Sequence, residues 1–389
     1  MPATRDDSRL RTEDGPGLIY VRPDMPGFSR VKAGTRFRYR DTHGAWLQDA
    51  AQIARIHQLA IPPAYQRVWI CPLANGHLQA TGLDARGRTQ YRYHAGWRAM
   101  KDQAKFDRLE AFGQALPRIR ARVARDLRVG RGAPLERSLV LATLVRLLDT
   151  TFLRVGNDEY ARSNGSFGLT TLRNRHADVR GGALTLRFRG KGGVMHEARV
   201  DDPRLAGVVR RCQQLPGQEL FQYEDEDGTP RSISSTDVNE YLREAAPDGH
   251  FTAKDFRTWH GTVQALELTR LACSAPSSGT PGDTRQGAKE ILAAVAARLG
   301  NTPAVCRKSY VHPAVLALGG SLAADAGAMN EIWKKITGPA SGARRLLAAE
   351  TRLLAFLRLQ RRRESRERRN ARQAAPNSST KVESSRVTA

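Results

Sequence analysis

The chain has 389 residues, and its 63 Lys and Arg against 39 Asp and Glu produce a formal net charge of +24 at pH 7. Such an excess indicates a polyanionic partner, either a nucleic acid or an anionic membrane surface. No apolar run approaches the roughly 18 residues of a membrane-spanning helix, so we exclude a transmembrane protein. The four cysteines form no CxxC pair and no secretory leader is recognisable, so we expect a reducing cytoplasm without disulfides or zinc.

In chain order, the first segment is polar, and we expect residues 1–16 to be flexible. From Gly17 to about residue 100 the chain is punctuated by Gly and Pro and is rich in aromatic and β-branched residues, which predicts short strands and turns. A short helix is predicted from about Asp49 to Leu59. The clearest predicted strands are Leu18–Val21, Phe37–Tyr39 and Val68–Ile70. We therefore predict a small, mainly β N-terminal domain at 17–100.

A helical pattern begins at about Lys101 and predicts a second, larger domain at 101–338. Apolar residues recur there at spacings of three and four: Leu109, Phe112, Leu116, Ile119 and Val123. A second apolar helix is predicted from Glu136 to Arg154, with Gly156 as the signal that ends it.

The middle of this second domain predicts a β-hairpin. Residues 183–200 alternate between apolar and polar side chains on both sides of the Gly-rich tip Gly190–Gly193. Helices are predicted again from about Ser235. The segment Ser274–Asp283 consists almost wholly of helix-breaking residues and predicts a loop.

The last segment, residues 339–389, is strongly basic. From Ser341 to Ala389 there are 13 Lys or Arg and 4 Glu. Leucines at helical spacing predict one amphipathic helix: Leu346, Leu347, Leu353, Leu354 and Leu357. We interpret the segment as a basic, partly helical or disordered tail, either a solvated arm or an additional electrostatic contact with the polyanion.

Three separated segments carry cations suited to binding a phosphate. Arg154 closes the predicted apolar helix, and its guanidinium can present two donors to two oxygens. Lys191 lies at the predicted hairpin tip, where a mobile ammonium could act as a general acid. Lys254 and Arg257 are three residues apart and share one face of a helical turn, which indicates an anion between them. Each residue also has an ordinary interpretation as a surface or helix-terminal charge.

A fourth segment ends on Tyr310. A helix should end at Gly300, and Thr302 is a favourable N-cap for the next helix, with the tyrosine about two turns later. Arg307 and Lys308 stand beside it in the sequence. A lone helical tyrosine is usually half-buried and structural, so the functional interpretation depends on the four segments together.

The ordered set of Arg, hairpin Lys, Lys-x-x-Arg, Gly-Asn-Thr-Pro and Tyr resembles the bacterial, poxvirus-like type IB DNA topoisomerases. The resemblance covers roughly Gly17 to Gly320 and includes four N-terminal motifs: Ile61–Tyr65, Val68–Pro72, Gly76–Gly82 and Gly87–Tyr93. It implies an α+β fold, with a small mainly β N-terminal domain and a mainly helical catalytic domain of the type IB topoisomerase and tyrosine recombinase kind. In that family the two domains clamp duplex DNA, and a β-hairpin carries the catalytic lysine.

The resemblance also implies a role for each residue of the set. Tyr310 would be the nucleophile that becomes joined to a 3′-phosphate, and Arg154 and Arg257 would bind the non-bridging oxygens. Lys191 would protonate the leaving 5′ oxygen, with support from Lys254. The implied activity is relaxation of positive and negative supercoils without ATP, metal or other cofactor. A monomer would act on supercoiled duplex DNA in the cytoplasm, at the nucleoid.

One position departs from the commonest family pattern, because many relatives have histidine where this chain has Asn301. An asparagine can donate a hydrogen bond to a phosphoryl oxygen but cannot carry a positive charge. We therefore expect the same role with slower cleavage. Further candidate DNA contacts are Gln90, Tyr91, Tyr93, Arg307 and Lys308.

Two other classes of protein stay open. A tyrosine recombinase would share the catalytic fold, but such enzymes usually have His-x-x-Arg where this chain has Lys254 and Arg257. A non-catalytic DNA-binding clamp would be expected to lose Tyr310 or one of the cations. A basic membrane-surface protein would explain the charge but not the ordered motifs. No histidines show HxxxH or HExxH spacing, so we expect no metal site.

Overall fold

The computed structural model describes residues 17–85, 87–128, 134–274, 283–321, 326–337 and 345–374. The segment 1–16 and most of the expected loop Ser274–Asp283 lie outside the described residues. The chain divides between Asp107 and Arg108 into two compact units. The domain limits expected from the sequence stay a prediction.

In the part of the chain that is described, no helix combines the length and the apolar character that crossing a membrane requires.

The first unit is built on a five-stranded antiparallel sheet with the strand order β2-β1-β3-β4-β5. Its elements are β1 (Phe28–Ala33), β2 (Arg36–Arg40), α1 (Ala50–Gln58), β3 (Gln66–Ile70), β4 (Leu78–Leu83), β5 (Thr89–Tyr93) and the start of α2 (Ala95–Asp126). The Asp49 carboxylate caps α1 by accepting from two backbone N–H groups at 2.8 and 3.1 Å. The predicted helix at Asp49–Leu59 and the strands at Phe37–Tyr39 and Val68–Ile70 are confirmed.

The strand predicted at Leu18–Val21 is wrong. Ile19 forms an isolated bridge with Gly76, and the chain then turns, with Met25 N donating to the Arg22 carbonyl at 3.2 Å. Pro23 lies two residues after Val21 and has no backbone N–H, so it cannot extend a ladder of strand hydrogen bonds.

The second unit combines many helices with two small sheets. Strands β6, β7 and β8 form one antiparallel sheet, and β9 pairs with β10. The elements are α3 (Arg137–Thr151), α4 (Asp158–Asn164), β6 (Ala177–Arg180), β7 (Ala183–Arg189), β8 (Met195–Asp201), α5 (Pro203–Cys212), β9 (Gln222–Glu224), β10 (Pro230–Ser232), α6 (Ser235–Ala245), α7 (Ala253–Ser274), α8 (Asp283–Leu299), α9 (Pro303–Ser309), α10 (Pro313–Ser321), α11 (Ala326–Thr337) and α12 (Ala348–Ala374). An N-terminal antiparallel sheet followed by a helical region is the mixed fold that the sequence predicts.

The helix α3 ends earlier than the sequence indicated. Phe152 adopts a left-handed conformation with φ of 60°, which terminates the helix after Thr151. Arg154 therefore lies beyond α3, in the segment between α3 and α4, and not on the last helical turn. The apolar pattern of the sequence continues through Phe152 and Leu153, which is why the boundary was placed too late.

The basic tail is packed at its start, so a fully solvated arm is the wrong description of this part. Four α12 side chains lie in the core of the second unit: Leu353, Leu354, Phe356 and Leu357. Glu350 is only 1% exposed and accepts a hydrogen bond from the Trp259 indole at 3.1 Å. The first turns of α12 are therefore part of the same folded body as α7.

Two helical glycines provide a matched test of this packing. A Cβ at Gly113 on α2 would come within 2.2 Å of the Trp259 ring and 2.8 Å of Leu354, whereas a Cβ at Gly207 on α5 would meet no heavy atom within 4 Å. We expect Gly113→Ala to lower the free energy of unfolding by about 1–3 kcal/mol through overpacking. Gly207→Ala should raise it by about 0.5–1 kcal/mol through helix propensity. Urea denaturation of both variants measures this difference, and equal effects would contradict the packing described for α2, α7 and α12.

Candidate active site

Arg257 is the buried centre of the candidate site, with an exposed fraction of only 3%. It lies on the second turn of α7. Its Nη1 donates to the carbonyl of Phe152, which caps the end of α3. Its Nη2 donates at 2.6 Å to the carbonyl of Leu299, the last residue of α8. Carbonyls at helix ends lack partners within the helix and attract cations, so one guanidinium joins the ends of two helices.

Tyr310 caps the end of α9 and is also held by α7. Its N–H donates to the Cys306 carbonyl at 2.9 Å, and its own carbonyl accepts from Thr262 Oγ1 at 3.2 Å. A Cβ at Gly261 would lie 2.8 Å from the same carbonyl, so only glycine allows this approach. The Arg257 guanidinium lies 5.0 Å from the centre of the Tyr310 ring. Successive turns of α7 thus position both the tyrosine and its neighbouring cation.

Arg154 and Asn301 form a second pair, 147 residues apart in the sequence, with Arg154 Nη2 donating to Asn301 Oδ1 at 2.5 Å. The backbone at Arg154 is fixed because its carbonyl accepts from Leu169 N at 2.9 Å. Asn301 follows Gly300, whose φ of +58° turns the chain out of α8. The loops that follow α3 and α8 therefore bring these two side chains together.

Three donors of this cluster are buried and form no hydrogen bond of good geometry within the described residues: Arg154 Nη1, Arg257 Nε and Asn301 Nδ2. The Arg257 guanidinium is close enough to the Tyr310 phenol to interact with its hydroxyl. The Asn301 amide lies near the thiol of Cys306, which is a weak acceptor. Buried N–H groups without partners are rare in proteins and costly. A group with several acceptor oxygens and a negative charge, such as a phosphate, would satisfy all three donors.

The electrostatics of the cluster favour an ionised tyrosine. Burial alone would raise the pKa of the Tyr310 phenol, but the positive charges of Arg257, Arg154 and Lys254 bring that pKa below its ordinary value. Burial and the charge of Arg154 lower the pKa of Arg257, although a guanidinium stays protonated at any pH of interest. The phenol of Tyr310 therefore ionises more readily than that of an ordinary tyrosine.

His196 is a residue of this region that the sequence interpretation left without a role. Its ring stacks on Phe188 with centroids 5.5 Å apart. A Cβ at Gly190 would come within 2.5 Å of this imidazole, and a Cβ at Gly300 within 2.2 Å. His196 thus fills the space between the β7–β8 turn and the start of the Asn301 segment. In the sequence, His196 occupies one of the alternating apolar positions of the predicted hairpin, and this unusual placement is the signal that could have identified it.

The charge state of His196 follows from the same contacts. Burial lowers the pKa of His196, and the charges of Arg154 and Arg257 lower it further. The imidazole is therefore neutral at pH 7.

The predicted lysines are both exposed. Lys191 lies in the turn Lys191–Gly193 between β7 and β8. Within the described residues, no hydrogen bond or ion pair joins its ammonium to Tyr310, Arg154, Arg257 or Asn301. Lys254 lies on the first turn of α7, close enough for its charge to lower the pKa of Tyr310.

The other predicted contacts lie on two surfaces. Arg307 and Lys308 are exposed on α9, three and two residues before Tyr310. Tyr91 and Tyr93 alternate on one face of β5, are 50% and 36% exposed, and have ring centroids 6.1 Å apart. Gln90, on the opposite face, donates to the Asp84 carboxylate at 2.9 Å. These β5 residues belong to the first unit, and the remaining site residues belong to the second.

A group of side chains with metal-ligand chemistry also lies in the second unit. Atoms of Asp149, His260 and Glu350 lie within 4.8 Å of one another. Arg120 donates to both carboxylates at 2.7–2.9 Å, and His260 lies 3.1 Å from Asp149. Since the guanidinium already binds oxygens of both carboxylates and offsets one of their two charges, this group is a buried ion-pair network that joins α2, α3, α7 and α12, and not a good cation site.

Two family models match the chain. The catalytic core of eukaryotic DNA topoisomerase I matches residues 94–326, and the N-terminal domain of bacterial DNA topoisomerase IB matches residues 36–84. DNA topoisomerase 1B of Acanthamoeba polyphaga mimivirus is 32% identical over 295 residues, which is 74% of this chain and 85% of the relative. DNA topoisomerase 1B of Vaccinia virus (strain Copenhagen) is 22% identical over 254 residues, 65% of this chain and 75% of the relative.

Proposed function

This chain belongs to the type IB DNA topoisomerase family, and on that premise we propose that it relaxes positively and negatively supercoiled duplex DNA through a 3′-phosphotyrosyl intermediate. The observation that carries the proposal is the set of three buried donors on Arg154, Arg257 and Asn301 that lack well-formed hydrogen bonds, with Arg257 lying 5.0 Å from the centre of the Tyr310 ring. Their number and charge suit the non-bridging oxygens of one phosphodiester. Tyr310 is the proposed nucleophile towards that phosphorus. The neighbouring Cys306 thiol is fully buried, and burial raises its pKa, which makes it a poor nucleophile.

In the proposed cleavage step, Tyr310 Oη attacks the phosphorus in line with the 5′ oxygen. The tyrosyl–phosphorus bond forms as the bond to the 5′ oxygen breaks, and the phenolic proton is lost to solvent. Charge that develops on the non-bridging oxygens is stabilised by Arg154, Arg257 and Asn301. Lys191 transfers a proton to the leaving 5′ oxygen, and Lys254 supports this transfer. Religation is the reverse reaction.

The proposed reaction requires neither ATP nor a metal ion. The phosphotyrosyl bond retains the free energy of the broken phosphodiester, so the 5′ hydroxyl can attack it again without an external energy source. Two guanidinium groups fixed by the protein can supply the positive charge that a metal ion supplies in other nucleases. Relaxation assays on both signs of supercoil, in EDTA and without nucleotide, test this point. Activity that requires added Mg²⁺ or ATP would contradict it.

The proposed DNA contacts extend beyond the phosphate cluster, the name we give to the phosphate-binding side chains of Arg154, Arg257 and Asn301. We assign Tyr91, Tyr93 and Gln90 on β5, with Arg307 and Lys308 on α9, to contacts with the duplex. Stacked, exposed tyrosines provide hydroxyl donors and flat surfaces suited to DNA, and exposed cations suit its phosphates. We further propose that the enzyme acts as a monomer and works at the nucleoid, where its substrate lies.

Asn301 provides a direct test of the phosphate cluster. In Asn301→Asp the unpaired amide donor becomes an anion of nearly the same shape, placed where the phosphate should bind. We expect the cleavage rate to fall by about 10²–10³-fold, the range for removing one donor to a developing negative charge. Single-turnover cleavage of a duplex oligonucleotide measures it. Asn301→His serves as the comparison, since it restores a donor. An equal loss of activity in both variants would count against Asn301 as a hydrogen-bond donor to the phosphate.

A further inference from the structure

The second half of α12 is a separate cationic surface. Residues 358–369 contain 7 Arg and 2 Glu, a net charge of +5. Arg358, Arg362, Arg366 and Arg369 recur at spacings of four, four and three, so they share one helix face, which we name the arginine stripe. All four are exposed. The two glutamates, Glu364 and Glu367, lie three residues apart on the opposite face.

The arginine stripe continues directly from the turns of α12 that pack in the second unit. The preceding turns of α12 are buried through Leu353, Phe356 and Leu357, and Glu350 is bound by Arg120 and Trp259. Since helix α7 carries both Trp259 and Arg257, the helix that holds the phosphate cluster also anchors the start of α12. The stripe is therefore the exposed continuation of a packed helix, about 16 Å long at 1.5 Å per residue.

Most of the stripe has its charge available to a ligand. Arg358 lies 3.6 Å from Glu110, which neutralises part of that end. Arg362, Arg366 and Arg369 form no ion pair within the described part of the chain. Three unpaired guanidinium groups on one helix face repel one another unless a polyanion lies across them.

We propose that the arginine stripe binds the phosphate backbone of duplex DNA outside the cleavage site. It thereby increases the number of DNA phosphates that the enzyme contacts. Duplex DNA is a suitable ligand because it carries one negative charge per about 1.7 Å of its axis. Cations along one helix face can therefore contact several phosphates at once. An anionic membrane fits less well, because residues 361–370 contain no apolar side chain to enter the bilayer. The inference rests on the proposed function in one respect, that DNA is the polyanion present.

The salt dependence of duplex binding tests the proposal. Each phosphate contact contributes a slope of about −0.9 to the logarithm of the binding constant against the logarithm of salt concentration. For Arg362→Gln/Arg366→Gln/Arg369→Gln we expect the slope to fall in magnitude by about 2.7. The affinity should also fall at least about tenfold near 100 mM salt. Binding is measured in a Tyr310→Phe background, so the result does not depend on whether Tyr310 cleaves DNA.

Two single substitutions, one on the arginine stripe and one off it, supply the matched control. Arg363 is exposed on the same helix but lies off the stripe, next to the glutamate face. We expect Arg366→Gln to reduce the slope by about 0.9 and Arg363→Gln to change it much less. Replacing the three stripe residues by lysine should restore the slope. An unchanged slope in the triple glutamine variant, or equal effects of the two single changes, would overturn the proposal. Loss of binding to anionic phospholipid vesicles without any loss on duplex DNA would also overturn it.

Discussion

The Tyr310→Phe variant is expected to lose at least about 10⁴-fold in the rate of plasmid relaxation, which is the scale on which removing a covalent nucleophile acts. The change deletes one oxygen atom. It leaves the backbone contacts of residue 310 with Cys306 and Thr262 in place, so the fold of the site should be retained. A phenyl ring cannot be joined to phosphorus, and the buried donors beside it cannot substitute for the nucleophile.

Two controls separate loss of chemistry from loss of binding. The affinity of Tyr310→Phe for a duplex oligonucleotide should equal that of the unchanged protein. Tyr160→Phe removes the hydroxyl of a tyrosine that is 47% exposed on α4, and it should relax plasmid normally. Residual activity of Tyr310→Phe above about 0.01 per cent, the level that a 10⁴-fold loss leaves, would show that another side chain performs the attack.

Arg257→Ala is the second change with a large expected effect. It removes a donor to the phosphate cluster, for which we expect a loss of about 10²–10³-fold in cleavage rate. It also leaves the carbonyls of Phe152 and Leu299 without their partner, at a cost of about 1–3 kcal/mol in stability for each buried group. Single-turnover cleavage together with denaturation measures both losses.

The pH dependence of cleavage distinguishes an electrostatic role of Arg257 from a purely structural one. The rate should rise with pH as the Tyr310 phenol ionises and should level off above its pKa. Because the Arg257 charge lowers this pKa, its removal should move the rising limb to higher pH. Arg257→Lys keeps the positive charge but loses the paired donors of the planar guanidinium. Its cleavage rate should therefore fall, while the rising limb of its pH–rate profile should move less than in Arg257→Ala. A limb that stays in place in Arg257→Ala would contradict the electrostatic role.

Local patterns predicted much of the fold, because single elements carry their own signals. The cap at Asp49 and the alternation of Leu184, Leu186 and Phe188 are examples that the structure confirms. The end of α3 was misplaced because Phe152 terminates the helix in a left-handed conformation without a glycine signal. No propensity rule anticipates that choice for an aromatic residue.

The candidate site was predictable as a set of residue types and not as a geometry. Arg154, Arg257 and Tyr310 come from three distant segments, and the motif order alone placed them together. The partners that orient Arg257 are backbone carbonyls, which no side-chain motif can reveal. The leucines of α12 predicted an amphipathic helix, but not the element on which it packs, because no sequence pattern marks Glu350 as a buried partner of Trp259.

The covalent intermediate shows which side chain attacks the phosphorus. A duplex that loses its short 5′-hydroxyl fragment after cleavage should trap the enzyme, and proteolysis with mass spectrometry then locates the adduct. We expect one adduct, on the peptide that contains Tyr310, joined to the 3′-phosphate of the cleaved strand, with a free 5′ hydroxyl on the released fragment. An adduct on another residue, a linkage to a 5′-phosphate, or cleavage without any adduct would contradict it.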